Sequence, residues 1–155
     1  MNQNHWPARP LNGANSFRRP GVLAWIRLAR VFQKVDRVSA EEMRGHDLSM
    51  AQFDVLAHVG THEGISQQQL ADSLLVTKGN VCQLLDRMEK SGLIERRAEG
   101  RTNRLYATPD GRRLFAEVAP AHEERIAEMF ASLSREEQRQ LLQLLRKVDR
   151  SLECR

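Results

Sequence analysis

From Gly21 onward, apolar residues recur at helical spacing. Val22, Trp25, Ile26, Ala29, Phe32 and Val35 step by three and four along one broad face, predicting a first helix from residue 21 to about Met43, stopped by Gly45. Ser49 is a cap for a second helix whose apolar face holds Met50, Phe53, Leu56 and Ala57, ended by Gly60 and Gly64. Ser66, with Gln69 three residues on, forms a capping box for a third helix, in which Leu70, Leu74 and Leu75 point inward. Val76 is the turn, and Thr77 caps a fourth helix with Val81, Leu84, Leu85 and Met88 at i, i+3, i+4 and i+7. Gly92 is its stop, with Leu93 as the apolar contact that often follows.

The period then changes. Residues 94–98 and 104–107 are strand-like, with Gly100 in the turn between them. Thr108 caps a fifth helix with Pro109 in its first turn, and Pro120 is expected to kink or split it. The box Ser134-Arg-Glu-Glu137 opens a last helix striped by Leu141, Leu144, Leu145, Val148 and Leu152. Residues 1–20 carry Pro7, Pro10 and Pro20, many Asn and no periodicity, and read as a flexible basic arm. There is no internal repeat. The fold class is mostly α with a small β wing. One domain of residues 21–152 carries a winged helix-turn-helix at 49–111.

Two helices joined by so short a turn form a helix-turn-helix, whose second helix fits the major groove of DNA. With Val81 set at zero and 100° per residue, Gly79, Gln83, Asp86 and Lys90 fall opposite the buried face, and Lys78, Asn80, Cys82 and Arg87 on the flanks. Reading helices touch bases with their N-terminal residues, so the candidates are Thr77, Lys78, Gly79, Asn80 and Gln83, with Arg87 further along. Asn and Gln suit adenine, and Lys suits guanine or phosphate. Gly79 lets the backbone approach the sugar-phosphate. Ser66, Gln67 and Gln68 are placed to donate to phosphate at the start of the third helix. The hairpin adds Arg97, Arg101 and Arg104. Arg101, at the tip, is the natural minor-groove finger, whereas Arg97 and Arg104 could instead pair with Glu95 and Glu99. Arg96 and Arg97 face opposite sides of their strand.

Charge agrees with this placement. The net charge is +4, with +6 in residues 1–40 and +2 in residues 66–104, against −4 in residues 41–65. Positive charge therefore collects in the arm and around the hairpin, where phosphate contact is expected. The two cysteines, Cys82 and Cys154, lie far apart and out of metal-ligand spacing, which fits a reduced, cytoplasmic protein. No apolar run approaches the ~20 residues of a membrane span.

The long terminal helices, 21–43 and 109–152, are amphipathic and have no obvious place in a winged-helix core. Such stripes mark an interface, and twofold half-sites require a twofold protein, so a homodimer is expected. Enzymatic chemistry finds no support: nothing sets a nucleophile beside a base, and no glycine-rich phosphate loop is present. His58 and His62 have a zinc-like spacing but Gly60 lies between them at a helix end, so no metal and no cofactor are expected. Cys82, on the flank of the reading helix, is a half-buried spacer or a thiol responsive to oxidation.

The segments Leu48–Leu56, Gln69–Ala71, Leu75–Val81, Leu85–Arg96, Gly100-Arg101 and Thr108–Gly111 together resemble the MarR-type winged-helix regulators, over about residues 22–152. The resemblance implies a homodimer built from the terminal helices and a pseudo-palindromic double-stranded DNA operator. It also implies release by a small aromatic or lipophilic effector, or by thiol oxidation. Trp25, Phe32 and Phe53 are the candidate effector-binding residues. Where that family's wing usually reads Asp-x-Arg, this chain has Glu99-Gly100-Arg101, and Ala107 stands where Leu is usual. A protein-interaction module without DNA reading is the alternative. It would have no need of Lys78, Asn80, Gln83 and Arg101, all of which are present.

Overall fold

The computed structural model describes residues 19–153, with Lys78 as backbone only. The expected arm, apart from its last two residues, and Cys154 thus lie outside the described residues. The elements are α1 (Pro20–Arg44), α2 (Met50–Thr61), β1 (Ile65–Ser66), α3 (Gln67–Ser73), α4 (Lys78–Lys90), β2 (Ile94–Glu99), β3 (Thr102–Ala107), α5 (Pro109–Met129) and α6 (Arg135–Glu153). The three strands form an antiparallel sheet in the order β1-β3-β2. The chain divides after Val38 into two units. In the first, residues 20–38 of α1 bury no side chain, and Leu23, Trp25, Leu28, Val31 and Phe32 are exposed.

The second unit holds the core. Phe53, Val55, Leu56 and Val59 of α2 meet Leu70, Ala71, Val81, Leu85, Met88, Ile94, Leu105, Ala107 and Val118. α2 is therefore buried on more than the one stripe its spacing predicted. Ser49 caps it through the Gln52 N–H and receives the Gln52 side chain in return. The helix continues through Gly60 to Thr61 rather than ending at the glycine.

Two expectations are corrected, and one strand is new. Leu75, expected to point inward, is 93% exposed and sits at φ 53°, so it is the turn, one residue before Val76. A chain that must reverse within three residues needs a left-handed residue there, and that conformation aims the side chain away from the core. Pro120 does not split α5, which runs unbroken to Met129. Pro120 and Ala116, the residue whose carbonyl loses its donor, are both on the exposed side of the helix. Finally, β1 has only two residues, too few for any alternation to reveal, and exists because Ile65 and Ser66 pair with Leu105 and Arg104.

The junction of α4, β2 and α5 explains the sequence Thr108-Pro-Asp-Gly111. At the end of α4, Leu93 N–H bonds to Met88 O (2.9 Å) and Gly92 N–H to Glu89 O (3.0 Å), with Gly92 at φ 73°. This is a Schellman turn. Thr108 then donates its hydroxyl to Gly92 O (2.5 Å) and its N–H to Leu93 O (3.1 Å), while its Oγ1 caps α5 by accepting from Gly111 N–H (3.0 Å). Gly111 lies against this turn: a Cβ there would come 2.0 Å from Leu93 O.

An alanine in a helix is ordinarily worth about 1 kcal/mol more than glycine, so only this contact makes Gly111→Ala harmful. The substitution is expected to cost about 3 kcal/mol and lower the thermal midpoint by roughly 10 °C. A melt followed by circular dichroism decides the matter, since an unchanged or raised midpoint would show that the junction has slack.

Candidate nucleic-acid interface

The two helices of the motif are set by their caps. Ser66 accepts from Gln69 N–H (3.1 Å) and donates its own N–H to Gln69 Oε1 (3.0 Å), opening α3. Thr77 accepts from Asn80 N–H (3.4 Å), opening α4. Val81, Leu85 and Met88 are fully buried and Leu84 is half-buried, which turns Gly79, Asn80, Gln83, Asp86 and Arg87 to solvent. Thr77 is also exposed, and no atom lies within 4 Å of a Cβ built on Gly79. The start of α4 thus presents an open surface of backbone N–H groups and two amide side chains. Free N–H groups at a helix start suit anions, and amide side chains suit base edges. Lys78 is the first residue of α4, and its side chain lies outside the described residues.

The start of α3 differs from expectation. Ser66 is only 8% exposed, and its hydroxyl already serves as the cap acceptor. Gln67 is half-buried, with Nε2 3.8 Å from Cys82 Sγ, and so packs α3 against α4. Gln68 is exposed, with its amide held by Asp72 at 2.8 Å. These residues first satisfy the groups of a short helix and its neighbour, so their side chains order the motif more than they reach outward.

In the hairpin, Arg97 stands opposite Arg104, Glu95 opposite Tyr106 and Glu99 opposite Thr102. These residues share one face. Gly100 takes φ 63° in a two-residue turn, and Arg101 stands exposed at the tip with no ion-pair partner among the described residues. Arg97 pairs with Glu95 and lies 4.3 Å over the Tyr106 ring. Arg104 donates to Gly64 O (3.0 Å) and lies 3.6 Å from Glu99. Tyr106 donates to Glu99 (3.0 Å). That bond is the chief reason its phenol is held above its ordinary value, with desolvation and the Glu99 charge adding to it, against Arg97 and Arg104. Two guanidinium groups and two carboxylates thus balance on this face, so Arg97 and Arg104 serve the hairpin first and Arg101 is left free.

Arg96 lies on the other side of β2, as alternation places it, but its partners were not legible in the sequence. It is paired with Asp86 (2.7 Å) and Glu89 (3.0 Å) of α4. No periodicity signals a contact that joins a helix to a strand.

The candidate effector residues are divided between the two units. Trp25 and Phe32, in the first unit, are 64% and 67% exposed. Phe53 is a core residue of the second, 7% exposed, packed against Phe115 (5.4 Å) and edge-on to His122 (4.9 Å). Its aromatic neighbours cover it, which an apolar periodicity does not predict. Cys82 is half-buried. No helix among the described residues is long and apolar enough to cross a membrane.

Capped helices in this arrangement, a hairpin with a free arginine at its tip and an open reading face define a winged-helix DNA-binding protein. The family model described as "MarR family" matches residues 46–104. A helix-turn-helix-type transcriptional regulator of Bacillus cereus is 33% identical over 134 residues, covering 86% of this chain and 91% of the relative. The chain belongs to the MarR family of transcriptional regulators. Among solved structures, a cysteine-to-serine variant of Escherichia coli MarR complexed with operator DNA superposes with a TM-score of 0.75 at 27% identity, covering 83% of this chain and 95% of that one. The ligand-free organohalide-sensing transcriptional regulator RdhR gives a TM-score of 0.77 at 23% identity, covering 94% of this chain and 89% of that one.

The geometry ranks the residues. Gln83→Ala and Arg101→Ala are each expected to cost about 1–3 kcal/mol of operator binding, the first relaxing sequence choice and the second acting at A·T-rich flanks. Arg97→Ala, which removes an already paired charge, is expected to cost less than about 1 kcal/mol. Titrations at two salt concentrations measure all three, and an Arg97 effect equal to that of Arg101 would overturn the ranking.

Proposed function

We propose that this MarR-family regulator is a homodimeric repressor that binds a pseudo-palindromic operator and is released by a small aromatic or lipophilic molecule. The observation that carries the DNA reading is the exposed first half of α4, with Thr77, Gly79, Asn80 and Gln83 turned outward by a fully buried Val81-Leu85-Met88 stripe. Lys78 joins them by its position in the helix, Arg87 lies exposed two turns on, and Arg101 extends the surface to the minor groove.

The homodimer rests on α6 and α1. α6 buries none of its 19 residues, yet Leu144, Leu145, Val148 and Leu152 are 38–63% exposed. Each such side chain gains about 1.5–3 kcal/mol on full burial, so leaving a whole stripe in water is costly. Leu23, Trp25, Leu28, Val31 and Phe32 give residues 20–38 the same character. A second copy supplies a partner, and its reading head supplies the second half-site. The intended roles are dimerisation for residues 21–43 and 109–152, and DNA reading for residues 49–111.

Leu145→Asp is expected to place an unpaired charge in this interface, cost several kcal/mol and yield monomers at micromolar concentration. Light scattering reads the outcome, and a monomeric wild type would remove the dimer.

The effector is argued from the exposed aromatic residues Trp25 and Phe32 and from the organohalide-sensing neighbour. A molecule that binds one spacing of the two heads better than the other shifts operator affinity by its differential affinity, typically about 1–3 kcal/mol. In a Trp6→Phe background, Trp25 emission reports binding directly. The expected result is a compound, within a panel of aromatic acids and lipophilic drugs, that changes both the emission and the operator affinity. A panel that changes neither sinks the effector model and leaves oxidation of Cys82 to be tested.

A further inference from the structure

We propose that Arg96 is a positioning residue that fixes the wing tip in register with the reading helix. The inference rests on the reading of DNA by α4 and Arg101. The guanidinium of Arg96 makes three contacts to α4: Nη2 to Asp86 (2.7 Å), Nη1 to Glu89 (3.0 Å), and Nη2 donating to the Cys82 carbonyl (3.3 Å). The Arg96 backbone N–H adds a fourth, to Glu89 Oε1 (3.0 Å). Glu89 therefore grips both the main chain and the side chain of one strand residue, while Asp86, one turn earlier on the helix, and Cys82, two turns earlier, bind the same side chain.

The placement of this clasp along β2 gives it leverage. Ile94 is buried and Arg96 is half-buried, but every residue from Arg97 to Asn103 is exposed. Arg96 is the last residue of β2 held by the body of the domain. Beyond it β2 runs three residues to Glu99, roughly 10 Å of strand at about 3.3 Å per residue, and the turn that follows carries Arg101. A tilt of about 10° at the clasp would move the tip by about 2 Å, a third of the roughly 6 Å width of the minor groove. The other ties of the hairpin, the pairing of β3 with β1 and the bond from Arg104 to Gly64 O, reach the segment before α3 and do not set the hairpin against α4. Arg96 also balances two carboxylates on the reading helix that would otherwise repel phosphate.

A double-mutant cycle tests the proposal. Operator affinity is measured for Arg101→Ala in the wild-type background and in Arg96→Met, Arg96→Lys and Glu89→Ala. The expected result is a loss of about tenfold in the wild-type background and of less than about threefold in Arg96→Met, because a wing out of register gains little from its tip arginine. Arg96→Lys keeps the charge but cannot span both carboxylates, so it is expected to behave as Arg96→Met does. If Lys restores the full tenfold effect, charge balance alone explains the residue and the positioning role is overturned. An equal Arg101→Ala loss in every background overturns it as well. Should Arg96→Met fail to fold, Glu89→Ala breaks the clasp from the helix side at a partly exposed residue and decides by the same comparison. An Arg101→Ala without effect in the wild-type background, together with a silent Gln83→Ala, would take away the DNA reading itself.

Discussion

Leu93 and Gly111 meet with no side chain between them, and the orientation of the reading helix follows from that contact. The Schellman turn at Gly92 ends α4 and hands the chain to β2 within two residues. Thr108 returns from β3 to bond both Gly92 and Leu93, and caps α5 with the same hydroxyl. The end of the reading helix, the base of the wing and the start of α5 are thus one joint. A Cβ at Gly111 would come 2.0 Å from Leu93 O, so the start of α5 and the end of α4 pack backbone against backbone.

Electrostatics on the outward side are arranged with similar economy. The hairpin carries four arginines, but three are held by carboxylates or carbonyls: Arg96 by Asp86 and Glu89, Arg97 by Glu95, and Arg104 by Gly64 and Glu99. Only Arg101 stands clear among them. Pairing keeps the short, largely exposed hairpin in shape and confines unbalanced positive charge to its tip. The number of arginines therefore overstates the charge available to phosphate.

The terminal helices carry the opposite kind of imbalance. α6 is capped by a complete box, with Ser134 N–H on Glu137 (2.8 Å) and Glu137 N–H on Ser134 (3.3 Å). The hydrogen bond from the Ser134 backbone is the main reason the Glu137 carboxyl is held below its usual value. The cap therefore contributes above the ordinary carboxylate range and is lost as pH falls through the lowered value. The helix is well formed as a local structure, yet its apolar face has nothing to cover it within its own length.

What the sequence determined is whatever depends on neighbours in the chain. The capping serines and threonines at 49, 66, 77, 108 and 134, the stripe Val81-Leu85-Met88, the stop at Gly92 and the turn at Gly100 are local rules, and each is found where spacing placed it. The outward positions of Asn80, Gln83 and Arg101 follow from the same periodicities. Tertiary structure decided what those rules do not reach. It paired two residues of β1 with β3, turned Leu75 out to water and enclosed Phe53 in aromatic neighbours. It also bound Arg104 to the Gly64 carbonyl and joined Arg96 to α4. The reason is physical: periodicity reports which side of an element faces the core, whereas an ion pair between two elements depends on how they dock, and that is fixed only when the whole core closes.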